Sequence, residues 1–341
     1  MNAGEDEKRR GRFVKKQDHQ FCVAPMMDWT DRHCRYFLRL ITRRTRLYTE
    51  LITAPALAHG DVARHLDHDA SEHPLALQLG GSEPRELANA ARLGERWGYD
   101  EINLNCGCPS ERVQTGSFGA CLMREPVLVA ECVKAMRDAV HLPVTVKHRI
   151  GLDREDDYAF VRDFVGTVAA AGCDVFIVHA RNAVLKGLSP KENREIPPLR
   201  YEVVHRLKRE FPALTIVING GLVTWSEIVS ELQHVDGAMV GRLAYHDPYS
   251  LAAADWQVFG DATPARSRAD VVTALLPYVD AQCRAGVPVR AITRHVLGLY
   301  HGRSGGRLFR RILSDSARLK AAGPDILLEA LAAVEPGSRA A

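Results

Sequence analysis

Eight short apolar runs recur along the chain, and each is separated from the next by a longer stretch with helical periodicity. The runs occupy residues 21–24, 47–49, 75–79, 101–104, 143–147, 174–179, 214–218 and 236–240. Alternation of strand and helix is typical of a parallel sheet, because each helix returns the chain to the same edge of the sheet. Eight such units in about 225 residues favour an α/β fold of the closed (β/α)8 type, a TIM barrel, over an open sheet.

Two of the intervening segments show the helical pattern most clearly. Residues 84–97 and 126–139 each begin with a proline, which suits the first position of a helix, and each carries an apolar stripe on one face. A doubly wound Rossmann-type sheet is the alternative arrangement. It is disfavoured because no Gly-x-Gly-x-x-Gly sequence follows the first apolar run.

The strand pattern ends near Asp255, and residues 269–281, 291–300 and 308–319 are predicted to be helices. A chain of 341 residues, 46% hydrophobic and 26% charged, has room for one large and one small globular domain. We therefore expect a mobile N-terminal tail at 1–20, a barrel at 21–255 and a C-terminal helical domain at 256–335.

Positive charge is concentrated in the predicted C-terminal domain. Residues 284–320 contain nine arginines and lysines but only one acid, Asp315, so the net charge of this segment is +8. The net charge of the whole chain is +3, so the rest of the chain carries −5. Such a distribution indicates contact with a polyanion such as a nucleic acid. A solvated helix face is the alternative explanation.

The eight cysteines are scattered, and the first twenty residues contain no apolar stretch of the kind found in secretion signals. We therefore expect free thiols and a cytoplasmic location. No membrane span is expected, because the most apolar stretch is interrupted by Gly166, Gly172 and Asp174.

Polar residues or glycines stand at the carboxyl ends of most predicted strands, where TIM barrels build their active sites. These positions are Pro25, Met26, Met27, Glu50, Gln78, Asn105, Cys106, Gly107, Cys108, Lys147, His179, Asn219, Gly220, Gly221, Gly241 and Arg242. Any one of them alone could be a polar group of the core. Their recurrence around the barrel predicts a single binding site.

The last two strands are followed by glycines, at the place where barrels commonly bind phosphate through backbone N–H groups. Gly220, Gly221 and Gly241 would let the backbone approach an anion, and Arg242 could add charge-assisted hydrogen bonds. Further donors that could surround a flat, hydrogen-bonding ring are Gln78, Lys147 and His179. A lysine at the end of a buried strand is costly unless an anion or cofactor pairs with it.

Cys106 and Cys108 flank a glycine, but no second Cys/His pair follows at zinc-like spacing, so no metal is expected. Cys108 precedes Pro109 and a glycine-rich segment at 116–119, which predicts a loop that can move over a substrate. An unperturbed cysteine thiol has a pKa of about 8.5 and is mostly protonated at pH 7. Such a thiol can serve as a proton donor as well as a nucleophile.

Six stretches together resemble tRNA-dihydrouridine synthases. They are APMMDWTD at 24–31, LQLGG at 77–81, NLNCGCPS at 103–110, VTVKHRIG at 144–151, INGG at 218–221 and VGR at 240–242. HAR at 179–181 and LSPKENREIPPL at 188–199 are similar to the bacterial A subfamily in particular. The resemblance covers residues 21–319. Cys106 and His148 depart from it, standing where an aliphatic and a small polar residue are typical.

The resemblance implies an FMN-bearing barrel that, with its C-terminal helical domain, binds tRNA and reduces D-loop uridines, at positions 20 and 20a in this subfamily. Carried over by motif, the FMN-binding residues would be Pro25, Met26, Met27, Gln78, Lys147, His179, Asn219, Gly220, Gly221, Gly241 and Arg242. Cys108 would be the catalytic acid, and Asn105 would contact the flipped uracil. Lys191, Arg194, Arg307 and Arg310 would contact tRNA, and NADPH would reduce the flavin. The resemblance points to no obligate protein partner.

The chemistry of uracil reduction is consistent with these groups. Hydride addition at C6 by reduced flavin must be followed by protonation at C5, for which Cys108 is the candidate donor. The target base must leave its stack to reach the barrel.

Two other functions stay open from the residues alone. A flavin-dependent barrel enzyme acting on a small molecule, such as a dihydroorotate dehydrogenase, would not need the +8 segment. A non-catalytic RNA-binding protein would not need the polar strand ends.

Overall fold

The computed structural model of the chain describes residues 19–110, 116 and 118–335. Within these residues nine β-strands all pair in parallel. They are β1 (Phe21–Val23), β2 (Leu47–Tyr48), β3 (Ile52–Thr53), β4 (Leu75–Gly80), β5 (Glu101–Cys106), β6 (Val144–Arg149), β7 (Val175–His179), β8 (Thr215–Asn219) and β9 (Gly237–Val240). All eight predicted strands are present, and β3 is a short addition that the sequence pattern did not indicate.

The sheet closes into a barrel. Its strand order is β1-β9-β8-β7-β6-β5-β4-β2, with β3 pairing with β4 beside this path. The two ends of the path meet at Arg46, whose carbonyl accepts the Val23 N–H (2.9 Å) and whose N–H donates to the Phe21 carbonyl (3.1 Å). A parallel bridge between Cys22 and Arg46 completes the junction. The predicted (β/α)8 TIM barrel is therefore confirmed.

The helices, in chain order, are α1 (Arg32–Ile41), α2 (Ala54–His59), α3 (Val62–Leu66), α4 (Pro84–Arg96), α5 (Pro126–Ala139), α6 (Tyr158–Ala170), α7 (Tyr201–Glu210), α8 (Trp225–Glu231), α9 (Arg242–His246), α10 (Ala254–Gln257), α11 (Arg268–Arg284), α12 (Arg290–Val296), α13 (Gly306–Ser314) and α14 (Asp325–Ala332). The local sequence explains where several of these helices begin. Pro84 and Pro126 stand at the start of α4 and α5, as predicted, and Thr224 with Glu227 forms a capping box at α8. In the described chain no helix is both long enough and apolar enough to cross a membrane.

The C-terminal helices are present, but their bounds differ from the prediction. The segment predicted at 308–319 is interrupted, because Asp315 follows α13 in an extended conformation. Its carboxylate then accepts the N–H groups of Ala317 (3.0 Å) and Arg318 (3.2 Å), which starts a separate 3-10 turn at Arg318–Lys320. Helix α14 was not predicted.

The chain divides into two compact units. The first comprises the described residues up to Pro25, Arg46–His68 and His73–Val240, and it contains the barrel strands. The second comprises Met26–Thr45, Asp69–Glu72 and the described residues from Gly241 onward. The domain bounds 21–255 and 256–335 stay a prediction. Residues 1–18 of the predicted tail lie outside the described residues, whereas the His19 ring is buried and contacts Glu101 (2.6 Å).

Candidate active site

Alternate residues of β5 point to opposite sides of the barrel wall. Ile102 faces the helical layer, because Gly94 of α4 lies close against its side chain. Asn103 and Asn105 therefore face the barrel interior, together with Glu101. Three polar side chains on one inward face are unusual in a buried strand, and each must find hydrogen-bond partners inside the barrel.

These side chains form a continuous hydrogen-bonded series, which we call the polar ladder: Glu101, Thr145, Asn103, Gln78 and Asn105. Thr145 Oγ1 donates to Glu101 Oε1 (2.6 Å) and accepts from Asn103 Nδ2 (2.8 Å). Gln78 Nε2 donates to Asn103 Oδ1 (2.8 Å), and Asn105 Nδ2 donates to Gln78 Oε1 (2.9 Å). The ladder thus joins two of the predicted site residues, Gln78 and Asn105, in one network.

The polar ladder has a lower end at Glu101 and an upper end at Asn105. The upper end holds the segment that carries Cys108. Asn105 Oδ1 accepts the backbone N–H groups of Gly107 (3.1 Å) and Cys108 (3.0 Å). The Cys108 carbonyl in turn accepts the N–H of Ala120 (2.9 Å). The backbone at Cys108 is therefore fixed from both sides, although residues 111–115 and 117 of the following segment lie outside the described residues.

The two neighbouring thiols lie in different environments. Cys106 is completely buried, and burial raises the pKa of its thiol well above the ordinary value. Cys108 is half-buried, with its sulfur 3.6 Å from Ser110 Oγ. Of the two, only Cys108 is open to a substrate or solvent.

Lys147, Arg149 and His179 bring positive charge or N–H donors to the carboxyl ends of neighbouring strands. Burial, with the charge of Arg149, lowers the pKa of Lys147 to about 7. Burial and the charges of Arg149 and Lys147 also lower the pKa of His179 well below its ordinary value. No carboxylate of the described chain pairs with any of the three, so no acidic side chain balances their charge inside the barrel.

Asn219 fixes the position of the Lys147 amine. Its Oδ1 accepts from Lys147 Nζ (3.0 Å), and its Nδ2 donates to the Met239 carbonyl (2.8 Å). The residues that follow, Gly220 and Gly221, have φ angles of +108° and +72°. A Cβ at Gly220 would lie 2.4 Å from His179 Cδ2, so only glycine allows the backbone to pass this ring.

Two further predicted residues of the first unit, Lys191 and Arg194, are exposed. They flank Asn193, whose buried side chain binds the backbone of the same segment through Val184, Leu188 and Ser189. Asn193 therefore fixes the surface segment on which the two basic residues lie.

Pro25 follows directly after β1 and Ala24. The Ala24 N–H donates to the Val240 carbonyl (2.8 Å), so the chain is still paired with β9 just before Pro25.

The remaining predicted residues belong to the second unit. The Met26 N–H donates to Thr30 Oγ1 (2.9 Å), and the Met27 side chain is 56% exposed. Gly241 caps α9, which begins at Arg242. Arg307 and Arg310 are exposed on α13, opposite the buried Phe309, Ile312 and Leu313, so this amphipathic helix presents a basic face to solvent.

Sequence reasoning missed the lower members of the polar ladder and the role of Arg149. Arg149 Nε donates to the Gly107 carbonyl (2.9 Å), and its Nη1 donates to the carbonyls of Asn182 and Asn193 (both 3.0 Å). The signal that could have found the ladder is the spacing of Glu101, Asn103 and Asn105, at alternate positions of a strand predicted to be buried.

Comparison with known proteins identifies what the chain is similar to. A family model described as dihydrouridine synthase matches residues 22–335. The tRNA-dihydrouridine(20/20a) synthase of Pseudomonas putida is 60% identical over 305 residues, which cover 89% of this chain and 90% of that protein. The proteins of the same name from Synechocystis sp. and Salmonella typhimurium are each 55% identical, covering 94% and 92% of this chain and 96% and 94% of theirs.

Proposed function

The chain belongs to the dihydrouridine synthase family, and on that premise we propose that it reduces the C5–C6 double bond of uridines 20 and 20a in the D-loop of tRNA. The observation that carries the proposal is the joint presence, at one edge of the barrel, of two features: the donors of Lys147 and His179, which have no acidic partner among the described residues, and a solvent-accessible Cys108 whose backbone is held by Asn105. The first feature suits a bound redox cofactor, and the second suits a proton donor.

The residues of the first unit fit FMN. Lys147 and His179 supply donors with no acidic partner among the described residues, and Gln78 keeps one amide N–H beyond the one it gives to Asn103. Gly220 and Gly221, with positive φ, bring the backbone close to the His179 ring, and we expect their N–H groups to bind the phosphate. Further residues that would hold the cofactor are Pro25, Met26, Met27, Asn219, Gly241 and Arg242.

When bound and reduced by NADPH, FMN would supply the hydride that uracil C6 accepts. The part of this chain is then to hold the base and deliver a proton. Asn105 would contact the uracil, and Cys108 would give its thiol proton to C5. The hydrogen bonds to Asn105 and from Ala120 hold the backbone of Cys108 in place beside the site that the base would enter.

Exposed basic residues would bind the phosphates of tRNA. Lys191 and Arg194 lie on the segment that Asn193 anchors, and Arg307 and Arg310 lie on the solvent face of α13. We place the reaction in the cytoplasm, a proposal supported by eight free cysteines.

The test compares Cys108→Ala with Cys106→Ala as a matched control. We expect both variants to keep their FMN and to be reduced by NADPH. A single-turnover assay with prereduced enzyme and unmodified tRNA should show dihydrouridine formation slowed about 10²- to 10⁴-fold in Cys108→Ala and little changed in Cys106→Ala. A colourless wild-type protein that cannot be reconstituted with FMN would refute the flavin proposal. Loss of activity in Cys106→Ala alone would refute the assignment of the proton donor.

A further inference from the structure

The polar ladder has one consistent direction, because groups that cannot reverse their roles stand at both of its ends. At the upper end, Asn105 Oδ1 faces two backbone N–H groups, and a backbone N–H can only donate. The Asn105 amide must therefore turn its Nδ2 toward Gln78. The Gln78 side-chain oxygen accepts that hydrogen bond, which leaves Gln78 Nε2 to donate to Asn103.

The lower end imposes the same direction independently. Burial alone raises the pKa of Glu101, but the charges of His19 and Arg46 and the hydrogen bonds from His19 and Thr145 lower the pKa to about 2. An ionised carboxylate only accepts, so the Thr145 hydroxyl must donate to it. The hydroxyl oxygen is then free to accept from Asn103 Nδ2, and the two constraints agree at Asn103.

We propose that Thr145 and Asn103 are positioning residues, which anchor the amides of Gln78 and Asn105 to the barrel wall and thereby hold the backbone at Cys108 in place. The inference rests on the proposed function, since it takes Cys108 as the proton donor. Neither residue touches the reacting atoms in this scheme. Both act through an unbroken series of hydrogen bonds of 2.6–3.0 Å that ends at the Cys108 N–H.

Removing the Thr145 hydroxyl separates the carboxylate from the amides. Thr145→Val keeps the volume of the side chain but leaves Asn103 Nδ2 without its acceptor inside the barrel, which is unfavourable. The Asn103 amide is then held at one end only, so it and the Gln78 amide bonded to it can move out of line. The hydrogen bond between Asn105 and Gln78 is weakened as a result, and with it the hold of Asn105 on Gly107 and Cys108.

The experiment compares Thr145→Val with Thr145→Ser, which keeps the hydroxyl, and with Thr215→Val, which makes the same replacement at the buried first residue of β8. In the single-turnover assay, with FMN occupancy made equal by reconstitution, we expect Thr145→Val to form dihydrouridine about 10-fold more slowly at unchanged tRNA affinity. Thr145→Ser and Thr215→Val should stay within about twofold of the wild type.

A second readout needs no cofactor. In flavin-free protein, alkylation of Cys108 by iodoacetamide, followed by peptide mass spectrometry, should be faster in Thr145→Val than in Thr145→Ser. Cys121 and Cys283, which are also half-buried, should react equally in both variants and serve as internal references. If Thr145→Val does not fold, Asn103→Leu tests the same link, because leucine has nearly the shape of asparagine but neither donates to Thr145 nor accepts from Gln78.

Equal turnover and equal Cys108 alkylation in Thr145→Val and Thr145→Ser would overturn the inference, as would equal impairment of Thr145→Ser. A wild-type protein that binds no FMN or makes no dihydrouridine would instead refute the proposed function. The alkylation comparison would still decide whether the polar ladder holds the Cys108 segment.

Discussion

Lys147 gives the site a measurable pH dependence that requires neither cofactor nor substrate. In the unfolded chain a lysine keeps its proton up to a pH near 10.5, whereas burial and the Arg149 charge lower the pKa of Lys147 in the folded protein to about 7. Between these values the unfolded state binds more protons, so the free energy of unfolding rises with pH. The destabilisation is complete below pH 7 and disappears above pH 10.5. Lys147→Met should remove this dependence.

The size of the effect follows from the two pKa values. A displacement from 10.5 to about 7 corresponds to at most about 5 kcal/mol, at about 1.4 kcal/mol per pH unit. Because the side chain keeps partial contact with solvent, we expect about 1–2 kcal/mol between pH 7 and pH 9. Neighbouring arginine and histidine side chains contribute little to the change in the free energy of unfolding between pH 7 and pH 9. Burial lowers the pKa of Arg149 only to about 10, and the pKa of His179 lies well below its ordinary value.

The measurement is urea unfolding of flavin-free protein at pH 6, 7, 8 and 9, comparing wild type with Lys147→Met. The loss of the Lys147–Asn219 hydrogen bond shifts the variant by an offset that does not change with pH, so only the change in the difference is used. Repeating the comparison in a Cys108→Ala background controls for the neighbouring thiol. Parallel stability profiles for the two proteins over this range would refute the reasoning.

Two further predictions concern the predicted tRNA contacts and the glycine after β8. The double variant Arg307→Ala/Arg310→Ala should weaken tRNA binding and reduce the slope of log K against log salt by about one per arginine, at unchanged FMN content. The control variant Arg85→Ala, on the exposed face of α4, should change neither tRNA affinity nor this slope. An unchanged slope in titrations at several salt concentrations would move the tRNA surface elsewhere. Gly220→Ala should lower both thermal stability and FMN affinity for two reasons. A side chain at a positive φ is strained by roughly 1–3 kcal/mol, and the added Cβ would also press against the His179 ring. Gly187→Ala carries the strain alone, since φ is +89° and nothing lies within 4 Å, so equal FMN affinity in the two variants would contradict the contact argument.

The barrel could be predicted from the sequence because its strands are buried on both faces and so appear as continuous apolar runs between amphipathic helices. Strands β5 and β6 run two residues beyond their predicted ends for the same physical reason. Cys106 pairs with His148, and Arg149 with His179, so ladder hydrogen bonding continues where the apolar pattern has already stopped. Polarity at a strand end predicts a site residue, but it does not mark the end of the strand.

The polar ladder shows why the site could be predicted only in part. Asn105 and Gln78 stand at strand ends, where polarity indicates function, whereas Glu101 and Asn103 stand inside a strand that apolar periodicity identifies as core. Their partners come from other strands, since Thr145 lies on β6 and Tyr48, which donates to Glu101 Oε1 (2.9 Å), lies on β2. No local pattern encodes which strand will be adjacent. Once the register places Asn103 between Gln78 and Thr145, the fixed roles of the Glu101 carboxylate and of the Gly107 and Cys108 N–H groups leave one direction for the hydrogen bonds between them.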